Sequence, residues 1–171
     1  MRKVLGFAAG LALLTLAACA PPAPLIAYDF PALGFSASFP AKPEQTGEPV
    51  PGGGHEIAVD GQAAGRDFAV TITEVDPGRD IDALTDTASQ AMAKGIGGEA
   101  EHPTYCATAE GLLGRELILD KNGQPAIKVR FYLVGARFYI MIAKSDFGVQ
   151  DPAVDDFLTS FHAGKPPATH G

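Results

Sequence analysis

From residue 35 onward the apolar positions repeat with a period of two, then of three to four, then of two again. Phe35, Ala37 and Phe39 alternate with Ser36 and Ser38, the pattern of a strand with one buried face. Pro40 and Pro43 end that strand, because proline lacks the amide a sheet ladder uses. Residues 47–54 are rich in Pro and Gly and read as a loop, with a short strand expected over 55–60. Over 66–75, Phe68, Val70 and Ile72 share one face and Thr71 and Thr73 the other, and Asp76-Pro77-Gly78 closes the strand as a turn. The period then lengthens. Ile81, Leu84, Ala88, Ala91 and Met92 recur at helical spacing over 80–95, with Asp80 placed as N-cap and Gly95 as the stop. Asp82 and Asp86 lie toward the positive end of that helix dipole and Lys94 at its negative end.

Alternation returns over 101–108, 115–120, 127–134 and 137–143. Lys121-Asn122-Gly123 supplies the positive-φ residues a hairpin needs, and Gly135-Ala136 joins the last two strands. Asp151-Pro152 sets an N-cap with Pro in the first turn, and Val154, Phe157, Leu158 and Phe161 form a narrow apolar stripe over 151–162. Hairpin-linked strands with inserted helices predict an α+β fold. Its mainly antiparallel sheet would have about six to seven strands, packed by the helices near 80–95 and 151–162.

The first residues follow a different logic. Arg2 and Lys3 precede an apolar stretch over 4–16, too short to span a hydrocarbon core that needs about 20 apolar residues. Pro21, Pro22 and Pro24 then forbid helical continuation. Leu16-Ala17-Ala18-Cys19 resembles the lipobox of bacterial lipoproteins, an aliphatic residue and two small ones before Cys. The resemblance implies a signal peptide over 1–18, removed by cleavage, and acylation of the Cys19 sulfur and new amino terminus. Two or more acyl chains anchor a protein durably where one is marginal. In Gram-negative lipoproteins Asp after the Cys favours the inner membrane, so Ala20 implies the outer membrane, facing the periplasm. The reading divides the chain into a signal peptide (1–18), a lipid-bearing Pro/Ala-rich tether (19–33), one domain (34–164) and a loose tail (165–171).

The second half carries a further resemblance. Val129-Arg130-Phe131-Tyr132-Leu133-Val134-Gly135-Ala136-Arg137-Phe138-Tyr139, ending in Phe157-Leu158-Thr159-Ser160-Phe161, is similar to small bacterial envelope proteins of the PsbP-like kind, as is Phe35-Ser36-Ala37-Ser38-Phe39-Pro40. It implies an antiparallel sheet between helices, serving as a binding or assembly scaffold and not as an enzyme. It carries no site residues across.

Charge narrows the partners. Loss of Arg2 and Lys3 takes the formal net charge of the 171-residue chain from −7 to −9, which disfavours nucleic acid and offers no polybasic patch for anionic lipid. The lipid on Cys19 and an envelope protein are the expected partners. With Cys19 acylated, Cys106 has no partner for an internal disulfide and reads as a small buried thiol.

Catalytic patterns are missing: there is no Gly-x-Ser-x-Gly, His-Glu-x-x-His, Cys-x-x-Cys or P-loop, and no cofactor is implied. Gly95-x-Gly97-x-x-Ala100 follows a helix, whereas a dinucleotide loop must follow a strand and open a helix. Asp76, Asp80, Asp82 and Asp86 form the densest carboxylate group; a calcium site is the alternative to a turn, a cap and two dipole partners. His55, His102, His162 and His170 are scattered without ligand spacing. Lys128, Arg130 and Tyr132, with Arg137 and Tyr139 across the hairpin, form a basic and aromatic set that could line a ligand face.

Three readings follow: a non-catalytic binding or assembly accessory, which the motifs favour; an envelope hydrolase assembled from distant residues; and a carrier of small anionic or sugar-like ligands. The carrier reading expects Arg130→Ala to abolish ligand binding without changing thermal stability. Under the lipoprotein reading, Cys19→Ser releases the domain or leaves it unprocessed. Intact mass checks it: a mature chain starting at an unmodified Cys19, or at any other residue, contradicts lipidation.

Overall fold

The computed structural model describes residues 24–50 and 54–164. The signal peptide, Cys19 and the 165–171 tail expected from the sequence lie outside the described residues. Among the described residues, eleven strands and two helices follow one another in the order β1 (Ile26–Phe30), β2 (Phe35–Phe39), β3 (Glu44–Val50), β4 (Gly54–Ala63), β5 (Arg66–Glu74), α1 (Ile81–Ile96), β6 (Glu99–Ala100), β7 (Thr104–Ala107), β8 (Leu113–Lys121), β9 (Gln124–Val134), β10 (Arg137–Ser145), α2 (Pro152–Thr159) and β11 (His162–Ala163). The fold is α+β and dominated by antiparallel sheet, as the alternating pattern predicts.

An eight-stranded sheet runs β3-β4-β5-β10-β9-β8-β6, with β7 also paired to β8, and a three-stranded sheet runs β1-β2-β11. The strand count exceeds the expected six to seven because several weakly patterned segments pair. Residues 26–30, assigned above to the tether, are β1 and pair with β2 from Ile26↔Phe39 to Phe30↔Phe35. The expected 47–54 loop is largely strand: β3 pairs with β4 from Glu44↔Asp60 to Val50↔Gly54. An outermost strand accepts Pro49, because among the described residues only one of its two edges is hydrogen-bonded. The hairpin read from Lys121-Asn122-Gly123 forms, with Asn122 and Gly123 at φ 55° and 71°.

Helix α1 covers one face of the large sheet, over Leu117, Leu119, Val129, Phe131 and Phe138. Asp80 caps it, its Oδ1 accepting from the amides of Asp82 and Ala83 at 2.9 and 3.0 Å. The helix runs past the expected stop at Gly95 and ends at Gly97, whose φ of 67° reverses the chain. Its most buried positions are Thr85, Ser89 and Ala93, whereas Ala91 is exposed. Small residues let the helix axis approach the sheet, so the larger Ile81, Leu84 and Met92 flank the contact instead of centring it.

The opposite face buries Phe68, Val70, Tyr132, Tyr139 and Met141 beneath α2 and the small sheet. Helix α2 ends at Thr159, before the expected 162, and the chain extends into β11 to pair with β2. The stripe Val154, Phe157, Leu158 and Phe161 is buried as its spacing predicts. Phe157 stacks on Phe68 at 4.7 Å and Phe161 on Tyr132 at 5.0 Å. Each such pair is worth ~0.5–1.5 kcal/mol beyond the area it buries. Gly114 makes room for this packing, since a Cβ there would stand 2.5 Å from the Phe131 carbonyl oxygen and 2.6 Å from the Tyr132 ring.

Asp151 fixes α2 to the sheet. Arg66 Nε donates to its Oδ2 at 2.7 Å and Arg66 Nη2 to its Oδ1 at 3.0 Å, Ser145 Oγ donates at 2.7 Å, and the Ala153 amide donates at 3.2 Å. The Arg66 guanidinium, followed by the hydroxyl and the amide, outweighs the cost of burial and lowers the carboxyl from 3.8 to about 2. Because the folded value lies below the unfolded one, this stabilisation is complete above about pH 4 and lost as pH falls through about 2. It is worth about 2 kcal/mol. Urea unfolding of the full chain across this window is expected to show an acid-labile component that Asp151→Asn lacks. At neutral pH that variant should lose about 3 kcal/mol by leaving Arg66 buried and unpaired. Parallel pH curves for the two proteins would contradict the assignment.

Candidate functional site

The basic and aromatic set expected to line a ligand face is brought together, but under α2 and the small sheet. Tyr132 and Tyr139 are fully buried. The Tyr132 ring lies flat on Phe161, and the Cys106 thiol points to its hydroxyl at 3.9 Å. Tyr139 Oη donates to the Leu33 carbonyl at 2.9 Å, and burial raises both phenols above their ordinary value. Arg130 Nε donates to Glu116 Oε2 at 2.5 Å, and Lys128 Nζ bridges Asp155 Oδ1 at 2.8 Å and Glu116 Oε1 at 3.3 Å. These charges tie β8 and β9 to α2. Arg137 is half-buried, makes no salt bridge among the described residues, and keeps Nη1 buried without a hydrogen bond. Of the expected ligand face, Tyr132 and Tyr139 are interior, whereas Lys128, Arg130 and Arg137 are half-buried, the first two in ion pairs. Period two establishes which residues share a face, and says nothing of what covers it.

The four carboxylates of the calcium alternative have separate local partners or surroundings. Asp80 is spent on the α1 cap, Asp82 Oδ1 accepts from Arg115 Nε at 2.5 Å, and Asp86 is exposed one turn farther along. Asp76 lies in the turn before the helix, where its carbonyl accepts from the Arg79 amide at 3.4 Å. Among the described residues no three His, Cys, Asp or Glu side chains are grouped to hold a metal. His162 pairs with Glu110 at the surface, and His102 is exposed. Burial pushes the Cys106 thiol up, which keeps it protonated and a poor nucleophile.

The surface has a different candidate. Four large apolar side chains are exposed among the described residues: Ile26, Tyr105, Leu113 and Phe147. Tyr105 and Leu113 lie close together, because β7 pairs Tyr105 with Arg115 and Ala107 with Leu113. Tyr105 is 78% exposed and Leu113 66%. The Arg115 guanidinium sits 3.9 Å from the Tyr105 ring centroid. Arg115 is itself buried, held by Asp82 and by a bond from its Nη1 to the Gly114 carbonyl at 3.1 Å. A cation stacked on an aromatic face fixes the ring before any partner arrives, at ~0.5–1 kcal/mol for an exposed site. The outer edge of β7 beside it pairs with no strand among the described residues.

Sequence reasoning passes over this surface. Tyr105 sits in a segment whose alternation is faint, and Arg115 and Asp82 are 33 residues apart. The sole local signal is an aromatic residue in a short strand beside polar neighbours, which is common in proteins. Reassigning Arg130 to structure reverses the expected outcome of its removal. Arg130→Ala should lower stability by about 1–2 kcal/mol by leaving Glu116 underpaired in a half-buried position, and thermal melting of the purified domain reads the change. An unaltered melting curve would return Arg130 to the surface.

No protein-family model matches the chain, and no curated protein matches it. Among solved structures it is similar to the solution structure of a cyanobacterial PsbP from Synechocystis sp., with a TM-score of 0.53 at 12% identity, over 86% of this chain and 98% of that one. The likeness reaches well beyond the segments on which the sequence resemblance rests. At that identity it is a likeness of fold, and this chain has a PsbP-like fold.

Proposed function

We propose that this chain is a lipid-anchored accessory domain of the bacterial envelope, non-catalytic, which binds or helps assemble a partner protein through the Tyr105–Leu113 surface. The observation that carries the reading is the Tyr105 ring, exposed yet fixed on a buried arginine. Exposed aromatics backed by rigid packing are the anchors that dominate protein interfaces, because little conformational freedom remains to be lost on binding. The fold supports an accessory role through its likeness to a PsbP. So does the use of Arg66, Asp151, Lys128, Arg130, Tyr132 and Tyr139 in internal contacts.

The anchor rests on Leu16-Ala17-Ala18-Cys19, with Ala20 favouring the outer membrane and a periplasmic orientation in a Gram-negative host. Among the described residues no helix is long and apolar enough to cross a membrane. From Cys19 to Ile26 the chain can reach at most ~25 Å, which keeps the domain beside the bilayer.

The test is site-specific photocrosslinking in membranes of the native host, with the crosslinker placed at 105, at 113 and, as control, at 94. A single defined adduct from 105 and 113, absent from 94, is expected. Tyr105→Ala should abolish the adduct from 113 while lowering stability by no more than ~1 kcal/mol. Adducts of equal strength from all three positions, or none, would contradict the reading.

A further inference from the structure

The two remaining exposed apolar residues, Ile26 and Phe147, lie at the other end of the molecule. Ile26 pairs with Phe39. A Cβ on Gly61 would touch Phe39 at 3.2 Å, and Gly61 pairs with Phe68, close to the β4–β5 turn at Ala64-Gly65. The Asp146 amide donates to the Gly65 carbonyl at 2.8 Å, which brings the residue before Phe147 onto that same turn. Gly114 stands level with Tyr132 and hence with Tyr139, so Leu113 lies one step beyond, near Phe138. From Phe138 to Ser145 is about 23 Å along the strand at ~3.3 Å per residue. The exposed apolar side chains are thus divided between opposite ends.

We infer that the β4–β5 turn and the 146–150 loop face the lipid bilayer, with Phe147 and Ile26 seated among the headgroups; this rests on the anchoring of Cys19 proposed above. The chain emerges from the domain at this end, since Ile26 begins the first strand and at most ~25 Å of backbone separates it from Cys19. The opposite end lies about 23 Å farther along the sheet, at the limit of that reach. Phe147 is 68% exposed and Ile26 52%. Phe147 is held out, not left loose: its amide donates to Ser145 Oγ at 3.2 Å, and Arg66 lies 5.4 Å from its ring centroid. Lys42 follows Ala41, whose carbonyl also meets Gly61, and Lys144 precedes Ser145. Both lysines are exposed and make no salt bridge among the described residues. Their stems can lie along apolar surface while the ammonium groups meet lipid phosphates. Asp67, which pairs with Lys144 across β5 and β10, and Asp146 on the β4–β5 turn keep this end from being a basic patch, so the contact relies on the aromatic ring and the tether.

The absence of tryptophan makes a direct test simple, because each introduced indole is the only one. The precursor carrying Phe147→Trp, and separately Leu113→Trp, is expressed in a host that processes lipoproteins. Each protein is weighed intact and reconstituted into phosphatidylethanolamine–phosphatidylglycerol vesicles with and without acyl-brominated lipid. The expected product is an acylated protein in which the emission of the indole at position 147 shifts to the blue. Brominated lipid should quench that emission roughly twofold and leave the indole at position 113 unaffected. An acylated protein whose indole at 147 is unquenched, or in which both positions are quenched equally, overturns the inference and leaves the anchor standing. A mass without acyl chains overturns the anchor and the inference with it.

Discussion

A carboxylate with 3% of its side chain exposed, Asp151, accepts two bonds from Arg66, one from Ser145 and one from the first turn of α2. Buried charges are costly unless every lone pair is used, and here the partners come from β5, β10 and the helix that Asp151 caps. That geometry sets α2 against the large sheet. Phe157, Leu158 and Phe161 then receive Phe39 and Phe35, so the small sheet is seated as a consequence. Without the carboxylate the helix loses its cap and its tether together.

Seating the small sheet decides where the chemistry of the chain goes. The face that carries Lys128, Arg130, Tyr132 and Tyr139 is closed, and its polar atoms are used by Glu116, Asp155 and the Leu33 carbonyl. The large apolar side chains left exposed among the described residues lie toward the ends of the sheet. At one end Arg115 is pinned by Asp82 and presents Tyr105; at the other, Arg66 is pinned by Asp151 and lies beside Phe147. Both use a buried arginine, paired with a carboxylate, to steady an exposed aromatic ring.

Elements with a strong repeat were legible in the sequence. The alternation at Phe68-Val70-Ile72 and the stripe Val154-Phe157-Leu158-Phe161 each predicted the buried face correctly. Residues 26–30 and 47–50 were not, since an edge strand needs a partner more than a pattern, and Pro and Gly are tolerated there. The N-cap at Asp80 was readable because capping is local, whereas the end of α1 moved from Gly95 to Gly97 because either glycine could have reversed the chain. The site residues were harder. Arg66 and Asp151 are 85 residues apart, and nothing local to either marks a buried pair. Tyr132 and Tyr139 read as polar because a phenol suits water or core equally, and only the covering helix decides.

The central claim is that the polar interior is structural and that contacts with the envelope are made at the two ends. Hydrogen–deuterium exchange tests it most directly, by comparing the full chain in native membranes with the same chain after detergent extraction and purification. The account predicts that protection lost on extraction is confined to residues 25–27, 62–66 and 145–148 at one end and 105–113 at the other. Loss of protection centred on 128–132 or on α2, with both ends unchanged, would contradict it.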